Sequence, residues 1–303
     1  MDSILKLENI SKKYGKKLIL SNFSLNLEKG NVYGLLGVNG VGKTTLMRII
    51  MGAIPSDSGW IFYKNSKIGW NDTAYKKEVA YIPEEAVFYS GMRVDEFINF
   101  NSVFYPKWNS DKARMFQKRF FLPPKARIRH LSRGMKLKLG LLVALAAEPE
   151  LLVLDDPTSG LDVPTRQDFL MGIIQEIVDS GTTILFASHL IHELEGIVKQ
   201  IGILHQGKLY VDDNYQTIKE FMKRVRIKKD ETATMVKDIE GLLLSKEKGD
   251  QIEYIFFPWN LENEKKIISI CGEKVKIEPM TLEEIFLAFI SSIDLSFRGN
   301  TCC

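Results

Sequence analysis

The 303-residue chain has few cysteines, no long apolar run and no large excess of either charge. Three cysteines do not form a disulfide framework, so we expect reduced thiols. The longest run of apolar residues and glycine, residues 139–147, has nine members. A membrane-spanning helix needs about 20, and we therefore expect no span. Lys6 and Glu8 interrupt the start of the chain with charges, so no signal peptide is predicted.

The charges nearly balance, because 41 Lys and Arg residues face 38 Asp and Glu residues for a net charge of +3. Nucleic-acid-binding chains carry a strongly basic surface, so we expect no nucleic-acid partner. The hydrophobic fraction of 45% and the charged fraction of 26% are typical of globular chains and exclude disordered, collagen-like and coiled-coil proteins. At about 150 residues per domain, this length predicts two domains.

Apolar patterning predicts the α/β class. The first 30 residues alternate like antiparallel strands, with breaks at residues 16–17 and 21–22. Uninterrupted apolar runs, which indicate buried strands, occupy residues 32–36, 151–154 and 183–187. Segments with helical spacing occupy residues 44–51, 94–119 with a break at Pro106, and 137–147. This order of strands and helices is typical of a largely parallel sheet with helices on both faces.

The pattern changes after residue 212. Residues 219–229 hold six basic side chains, which form either a solvated face or a surface for anionic lipid headgroups. Strand-like and helix-like segments then alternate, and Thr281 with Glu284 forms a capping box before a final helix. We therefore expect a large domain over residues 1–212 and a small α+β domain over residues 213–303.

A glycine-rich segment fits the pattern G-x-x-x-x-G-K-[ST], and its members are Gly37, Val38, Asn39, Gly40, Val41, Gly42, Lys43 and Thr44. The glycines let backbone amides wrap around a polyphosphate, and the following helix adds its positive N-terminus. In this pattern the Lys43 side chain contacts the β- and γ-phosphates and the Thr44 hydroxyl binds Mg²⁺. The alternative is a plain glycine turn that joins a strand to a helix.

Two acidic residues end the apolar run at 151–154. Asp155 lies 112 residues after Lys43, where a buried strand can deliver it to the Mg²⁺ ion. Asp156 points differently and can face the γ-phosphate. The alternative is that both acids simply mark the end of a strand.

With these residues, positions 1–212 resemble the nucleotide-binding subunits of ABC transporters. Leu131-Ser132-Arg133-Gly134-Met135 resembles the family signature L-S-G-G-Q. The other matching motifs are Tyr14 at the adenine-stacking position, Tyr81-Ile82-Pro83-Glu84 at the Q-loop, Ser159-Gly160-Leu161-Asp162 at the D-loop and His189 at the switch histidine. Residues 104–109 and the Gly-Met end of the signature are similar to bacterial exporter ATPases of the antibiotic-resistance and lipid-efflux branch.

This resemblance implies a P-loop NTPase core of mainly parallel sheet, an antiparallel β subdomain and a helical arm at about 85–147. It also implies ATP and Mg²⁺ as cofactors. The ATP-binding residues would be Tyr14, the loop from Gly37 to Thr44, and Thr45. The metal would be held by Thr44, Asp155 and Glu84. The catalytic residues would be Lys43, Glu84, Asp156 and His189. Asp156 and His189 would act on the attacking water. Ser132 and Gly134 would complete the site of an opposing subunit, and Asp162 of the D-loop would also bind nucleotide.

Besides Arg133 and Met135 of the signature, two catalytic positions depart from the family pattern. Glu84 stands where the family usually has glutamine, and the glutamate adds a negative charge beside the phosphates. Asp156 stands where the usual base is glutamate, and its side chain is one methylene shorter. A carboxylate misplaced by about 1 Å can cost on the order of 100-fold in rate, so slow ATP hydrolysis is predicted.

The resemblance also implies partners. Without a span, transport requires a separate multi-span membrane subunit, and the chain would lie at the cytoplasmic face of the plasma membrane. It would pair as a homodimer or as a heterodimer with a second ATPase subunit. In the family, the membrane subunit enters a groove beside the arm. The aromatic and methionine side chains of the arm either line that groove or pack the arm's own core, and they are Phe88, Tyr89, Met92, Phe97 and Phe104. The alternatives are an ABC ATPase acting on ribosomes or DNA, and a non-catalytic ATP-dependent dimer switch.

Overall fold

The computed structural model describes residues 2–84, 87–159, 161–167, 170, 174, 177, 178, 180–229, 231–272 and 275–299. The chain divides into two compact units. The first lies within Met1–His189 and Ile197–Asp212, and the second within Leu190–Gly196 and Asp213–Cys303. The domain boundary at residue 212 stays a prediction, and these units differ from it by the segment Leu190–Gly196.

The first unit holds ten strands and five α-helices within its described residues. The strands are β1 Ser3–Tyr14, β2 Lys17–Glu28, β3 Val32–Leu36, β4 Ser58–Tyr63, β5 Ser66–Ile68, β6 Val79–Ile82, β7 Leu151–Asp155, β8 Thr183–Ser188, β9 Gln200–His205 and β10 Lys208–Asn214. The helices are α1 Lys43–Ile50, α2 Val94–Ser102, α3 Ser110–Arg119, α4 Arg133–Ala146 and α5 Val163–Gln167, with 3-10 turns at Tyr75–Lys77 and Ile128–His130.

A six-stranded sheet in the order β10-β9-β3-β8-β7-β6 forms the centre of this unit. Strands β9, β3, β8, β7 and β6 pair in parallel. Every residue of β3, β7 and β8 is buried, as expected for strands covered on both faces. The predicted α/β class with a mainly parallel core sheet is confirmed. Because parallel strands end at one edge of the sheet, the residues that follow them are brought together there.

An antiparallel sheet in the order β2-β1-β4-β5 forms the predicted β subdomain. The break predicted at residues 21–22 is wrong, because β2 runs through both residues. Asn22 has a φ of 49°, and the pairing with β1 shifts register nearby. Asparagine tolerates this left-handed conformation, so the irregularity is absorbed as a bulge and the strand continues.

The helical arm contains α2, α3 and α4. Asn109 caps α3 by accepting a hydrogen bond from the amide of Lys112, and Ser132 caps α4 by accepting one from the amide of Met135. The predicted arm begins at residue 85, but residues 85 and 86 lie outside the described part of the chain. Helix α4 begins at Arg133, four residues earlier than predicted, because the Ser132 cap starts it before the apolar stripe does.

The second unit is an α+β structure. Its strands are β11 Lys223–Lys228, β12 Leu242–Lys248, β13 Gln251–Phe256 and β14 Lys276–Pro279, in the antiparallel order β12-β13-β11-β14. Its α-helices are α6 Tyr215–Phe221, α7 Glu231–Met235, α8 Leu261–Cys271 and α9 Leu282–Gly299, with 3-10 turns at Ile191–Glu193 and Val236–Asp238. A separate apolar core packs beneath the sheet. The predicted α+β class of the C-terminal region is confirmed.

The basic run at residues 219–229 is largely neutralised by acidic partners. It supplies the central strand β11, whose Val225 and Ile227 are buried. Arg224 and Arg226 both form ion pairs with Glu278. These pairs favour a structural and solvated face over a surface for lipid headgroups. Among the described residues, none of the helices combines the length and the apolar character needed to cross a membrane.

Candidate functional site

The glycine-rich segment forms the loop between β3 and α1. Gly40 and Gly42 have φ values of 77° and 119°, a conformation that favours glycine. A Cβ at Gly37 would lie 2.8 Å from the carbonyl oxygen of Leu204, so this position also needs the smallest residue. These three positions therefore require glycine, and the backbone has the conformation that a phosphate-binding loop needs.

The loop opens onto a cavity of about 380 Å³. Its lining brings together residues that are far apart in sequence, namely Ile19, Asn39, Gly40, Gly42, Lys43, Thr44, Thr45, Glu84 and Asp156. Glu84 follows β6 and Asp156 follows β7, so the sheet edge delivers both to the loop. The structure thus places most of the predicted phosphate and metal residues around one space.

Lys43 is buried beside this cavity. Its Nζ donates hydrogen bonds to the carbonyl oxygens of Gly37, at 2.7 Å, and Val38, at 3.4 Å. It lies 3.9 Å from Oδ2 of Asp156. Burial lowers the pKa of Lys43, while the nearby carboxylates of Asp156, Asp155 and Glu84 oppose that shift. A bound polyphosphate would supply the negative charge that this ammonium group requires.

Asp155 ends β7 and is held from two sides. The Thr44 hydroxyl donates to Oδ1 at 3.2 Å, and the Tyr81 hydroxyl donates to Oδ2 at 3.2 Å. Burial raises the pKa of Asp155, and the two hydrogen bonds oppose that change. The sequence placed Tyr81 in the Q-loop motif without giving it a role. The only signal for Tyr81 in the sequence is a hydroxyl-bearing side chain within an apolar strand, and the pairing of that strand with β7 is seen only in the structure.

These oxygen ligands fit Mg²⁺, which prefers one or two carboxylates and completes its shell with water and substrate phosphates. Asp155 and Thr44 share a hydrogen bond, so their oxygens already lie side by side. Among the described residues, no group of three or more His, Cys, Asp and Glu side chains is arranged to hold a metal ion by itself. A Mg²⁺ ion bound by Thr44 and Asp155 would complete its shell with water and substrate phosphates.

Asp156 and His189 form a direct pair. Oδ1 of Asp156 accepts the backbone N–H of His189 at 2.9 Å and lies 2.7 Å from Nδ1 of its ring. The backbone of Asp156 has a φ of 44° and donates its N–H to Ala187. These contacts tie the end of β7 to the end of β8, so the predicted pair of water-binding side chains is assembled.

The remaining predicted residues lie outside the cavity lining. The Tyr14 side chain lies at the end of β1 and is 50% exposed, so its ring is open to a ligand. Ser132 caps α4, and Gly134 lies in the first turn of that helix. Asp162 directly precedes α5, and its carbonyl oxygen accepts the N–H of Arg166. Gly160 of the D-loop motif lies outside the described residues.

A groove lies between β6 and the arm. A cavity of about 180 Å³ is lined by Val87, Phe88, Phe97, Asn101, Tyr105, Gly140, Val143 and Ala144 of the arm, with Ala80, Tyr81, Ile82 and Pro83. Phe88 and Phe97 stack edge to face at 5.3 Å. Tyr89 and Phe104 are 60% and 55% exposed, and both pack on Phe100. Of the five side chains predicted for the groove, Phe88 and Phe97 line this cavity, whereas Tyr89, Met92 and Phe104 are not among its lining residues.

Comparison with known proteins gives consistent matches. A family model described as ABC transporter matches residues 20–159, a range that holds the loop, Glu84, Ser132, Asp155 and Asp156. "ABC transporter ATP-binding protein YtrB" of Bacillus subtilis is 30% identical over 287 residues, which cover 94% of this chain and 97% of that protein. "Bacitracin transport ATP-binding protein BcrA" of Bacillus licheniformis is 32% identical over 228 residues, 73% of this chain and 72% of that protein.

The fold matches solved structures as well. A structure described as the ATP-binding subunit of an ABC transporter superimposes with a TM-score of 0.65 at 25% identity. The match covers 72% of this chain and 92% of that structure.

Proposed function

The chain belongs to the ABC transporter family of ATP-binding proteins, and from that premise we propose that it hydrolyses ATP to drive a membrane exporter. The observation that carries the proposal is the assembly of Lys43, Thr44, Glu84 and Asp156 around one cavity, with Asp155 and His189 bonded to its edge. Phosphoryl transfer needs positioning and charge neutralisation more than covalent chemistry, and these residues provide both.

Phosphate binding falls to the loop and to Lys43. The Lys43 ammonium donates to two carbonyl oxygens of its own loop. On nucleotide binding it exchanges them for oxygens of the β- and γ-phosphates, while the amides at the start of α1 take the remaining phosphate oxygens. Thr44, Asp155 and Glu84 would hold Mg²⁺, which would neutralise charge that develops on the phosphates. Tyr14 stacks on the adenine ring, and Thr45 and Asn39 face the phosphates.

Water activation falls to Asp156 and His189. When Nδ1–H of His189 is donated to Asp156, the neutral ring keeps Nε2 as an acceptor for the hydrogen of the attacking water. Asp156 holds the ring in that orientation through a second bond to the His189 backbone. Its carboxylate is shorter than the glutamate usual in the family, so hydrolysis is slow.

A complete site needs a second ATPase subunit. We propose that Ser132, Gly134 and Asp162 bind the nucleotide of that subunit in a head-to-tail dimer. Ser132 is the N-cap residue of α4, a 14-residue helix whose N-terminus favours an anion. Pairing with a different ATPase is as compatible with the two departures as pairing with a second copy, because one good site can compensate for a poor one.

The membrane partner docks at the arm. The groove beside Phe88 and Phe97 and the exposed rings of Tyr89 and Phe104 present an apolar surface for a membrane subunit. Docking there would put the chain at the cytoplasmic face of the plasma membrane. We propose outward transport on the resemblance of residues 104–109 to exporter ATPases, and the similarity to BcrA, which is named for bacitracin transport, supports a role in transport.

An ATPase assay of the purified full chain tests the enzymatic proposal. We expect slow Mg²⁺-dependent release of phosphate that Lys43→Ala abolishes, since this change removes the ammonium group from the loop. Equal rates for the two proteins would disprove hydrolysis. If the wild type binds ATP and dimerises without turnover, the alternative of a non-catalytic dimer switch, which the departures at Glu84 and Asp156 favour, is correct.

Capture from solubilised membranes of the source cell tests the partner. The two variants to compare are Phe104→Ser in the arm and Trp60→Ser in the β subdomain, because both rings are 55% exposed. We expect a multi-span protein to co-purify with the wild type and with Trp60→Ser, and to be reduced with Phe104→Ser. Recovery of ribosomes or DNA without a membrane protein would contradict the transporter assignment.

A further inference from the structure

One face of α4 lines a cavity within the first unit. Arg133, Lys136, Leu137 and Gly140 are spaced at i, i+3, i+4 and i+7, so they lie on the same side of the helix. All four line a cavity of about 180 Å³, which we call the signature cavity because α4 begins within the signature motif. The rest of its lining comes from the end of β6 and the segments after β6 and β7, namely Ile82, Pro83, Glu84, Phe88, Pro157 and Leu161.

Glu84 lines two cavities. It lines the cavity beside the nucleotide loop, where its charge adds to that of Asp156 and only the ammonium group of Lys43 opposes them among the described lining residues. It also lines the signature cavity, where the other charged side chains described are both basic, Arg133 and Lys136. The Glu84 carboxylate therefore borders an excess of negative charge on the nucleotide side and an excess of positive charge on the signature side.

The two basic side chains are long enough to reach a carboxylate across this space. Arg133 is exposed and Lys136 is half-buried, and both have flexible stems that let the charged group follow its partner. Oε1 of Glu84 accepts a hydrogen bond from the Ser159 hydroxyl. An ionised carboxylate has about four acceptor sites, so this bond leaves room for a further donor from the signature side.

We propose that Arg133 and Lys136 act on Glu84 of their own chain, where they offset its charge and so limit its repulsion of a bound triphosphate. This inference rests on the proposed function for its ATP ligand. Arg133 and Glu84 both depart from the family pattern, and under this proposal the two departures compensate each other. Ser132 and Gly134, on either side of Arg133 in the chain, keep their proposed role toward a second subunit.

ATP binding makes this compensation more important. The triphosphate brings further negative charge into the cavity that Glu84 lines, and like charges a few ångströms apart at a protein surface repel each other. Cations on the other side of the carboxylate reduce this repulsion and attract the carboxylate toward the signature cavity. Arg133 and Lys136 are therefore positioning residues, because they affect ATP through Glu84 and not through contact with it.

A double-mutant cycle tests the pairing. Arg133→Met and Lys136→Met each remove a positive charge and keep a long side chain, while Glu84→Gln removes the opposing charge. We expect each methionine variant to raise the Kd for ATP about three-fold when Glu84 is present, a size typical of solvent-accessible charge pairs. In the Glu84→Gln background the same changes should alter the Kd less than about 1.5-fold. Calorimetric titration in EDTA measures the Kd without metal or turnover.

A three-fold loss of affinity that persists in the Glu84→Gln background would show that the cations attract ATP directly, and it would overturn the proposal. Lys112→Met is the matched control. Lys112 is a cation of the same arm that pairs with Glu148, and it lines neither cavity. We expect its effect on the Kd to be the same with and without Glu84→Gln.

Protein concentration distinguishes an effect within one chain from an effect across a dimer. At concentrations where sedimentation shows the ATP-bound chain to be monomeric, the dependence of the Arg133→Met effect on Glu84 should remain. A dependence seen only in the dimer would assign Arg133 to the nucleotide of the opposing subunit and contradict the inference.

Thermal unfolding without nucleotide gives a readout that does not require ATP. We expect Arg133→Met to lower the melting temperature by about 1 to 2 °C when Glu84 is present and to leave it unchanged in the Glu84→Gln background. If the chain does not bind ATP, the proposed function fails and this second cycle decides alone. A shift confined to chains with Glu84 then supports the pairing, and equal shifts in the two backgrounds overturn it.

Discussion

The Ser159 hydroxyl donates a hydrogen bond to Oε1 of Glu84 across 3.1 Å, although the two residues are 75 positions apart. Glu84 follows β6 and Ser159 follows β7, two neighbouring strands of the core sheet. The residue at the Q-loop position therefore contacts both the nucleotide cavity and the D-loop segment. A glutamine would keep the acceptor oxygen for Ser159 and remove the negative charge, so charge and hydrogen bond can be separated by mutation.

Glu84→Gln should lower the KM for ATP about three-fold. The change removes one negative charge from the cavity that would hold the triphosphate. Two negative charges about 4 Å apart at a protein surface repel each other measurably, so its removal favours ATP binding. Calorimetric titration with ATP and steady-state kinetics would check it. Ser159→Ala is the control, because it removes the hydrogen bond and leaves the charge unchanged. A weaker affinity for ATP in Glu84→Gln would refute the argument from charge.

Asp156→Glu should raise turnover about 10-fold. The added methylene extends the carboxylate by about 1 Å toward the water, the distance by which aspartate is expected to fall short. Asp156 has a φ of 44°, a conformation that aspartate and asparagine tolerate better than glutamate. We therefore expect a lower melting temperature together with the faster rate.

Asp156→Asn is the matched variant for that position, since asparagine keeps the backbone preference and loses the carboxylate. It should reduce phosphate release to the background of Lys43→Ala. A rate for Asp156→Glu below that of the wild type would mean that length does not limit hydrolysis.

Tyr81→Phe should raise the Mg²⁺ concentration needed for half-maximal activity about 10-fold. The hydroxyl orients Asp155 through a 3.2 Å hydrogen bond, and loss of a partner that orients a metal ligand typically costs 10- to 100-fold in affinity. Displacement of Mn²⁺ from the protein–nucleotide complex, followed by electron paramagnetic resonance, measures the same affinity without turnover.

Tyr33→Phe is its control. Tyr33 is a buried tyrosine whose hydroxyl donates to Asp212 at 3.0 Å, away from the residues that line the nucleotide cavity. It should leave the Mg²⁺ dependence unchanged. Identical metal dependence in the two variants would show that Tyr81 only supports the fold.

Glu150→Gln should lower stability at neutral pH and have little effect in acid. The hydrogen bond from Lys64, with further interactions from Lys107 and Lys29, lowers the pKa of Glu150 to about 2 against the opposing effect of burial. An unfolded glutamate has a pKa of about 4.3. The stabilisation is therefore fully present above about pH 5 and is lost as the pH falls through 4 toward 2.

We expect a loss of about 1 kcal/mol at pH 7, discounted because the lysines are solvent-exposed and screened by salt. Urea midpoints of wild type and variant at pH 7 and pH 3, in low salt, would measure it. The exposed pair Lys229–Glu247 offers a comparison, since Glu247→Gln should change the midpoint little at either pH. A difference between wild type and Glu150→Gln that is as large at pH 3 as at pH 7 would rule out the ionic explanation.

The nucleotide loop and the core strands could be predicted because their signals are local. The spacing from Gly37 to Thr44 and the apolar runs at residues 32–36 and 151–154 are visible within single segments. Tyr81 could not be assigned a role, because its partner Asp155 is 74 residues away. Only the parallel pairing of β6 with β7 brings the two together.

The C-terminal unit was harder to predict for a different reason. Strand β11 does show alternation, with Val225 and Ile227 buried between charged neighbours, but the density of basic residues concealed it. Arg226 is neutralised by Glu253 and Glu278, which lie 27 and 52 residues further along the chain. No local pattern assigns Leu190–Gly196 to the second unit either, since that depends on the hydrogen bonds that Glu195 accepts from Tyr215, Lys219 and Leu282, all of which follow in the chain.

The position of Leu190–Gly196 limits how this chain can be recombined. A chimera joined at residue 212 would combine a native segment with a foreign C-terminal unit, leaving Glu195 without its donors and Leu194 without its apolar surroundings. An exchange of the C-terminal unit between related ATPases therefore has to transfer both Leu190–Gly196 and the residues after 212. Changes in Leu190–Gly196 and changes after residue 212 are expected to be inherited together as a single unit of variation.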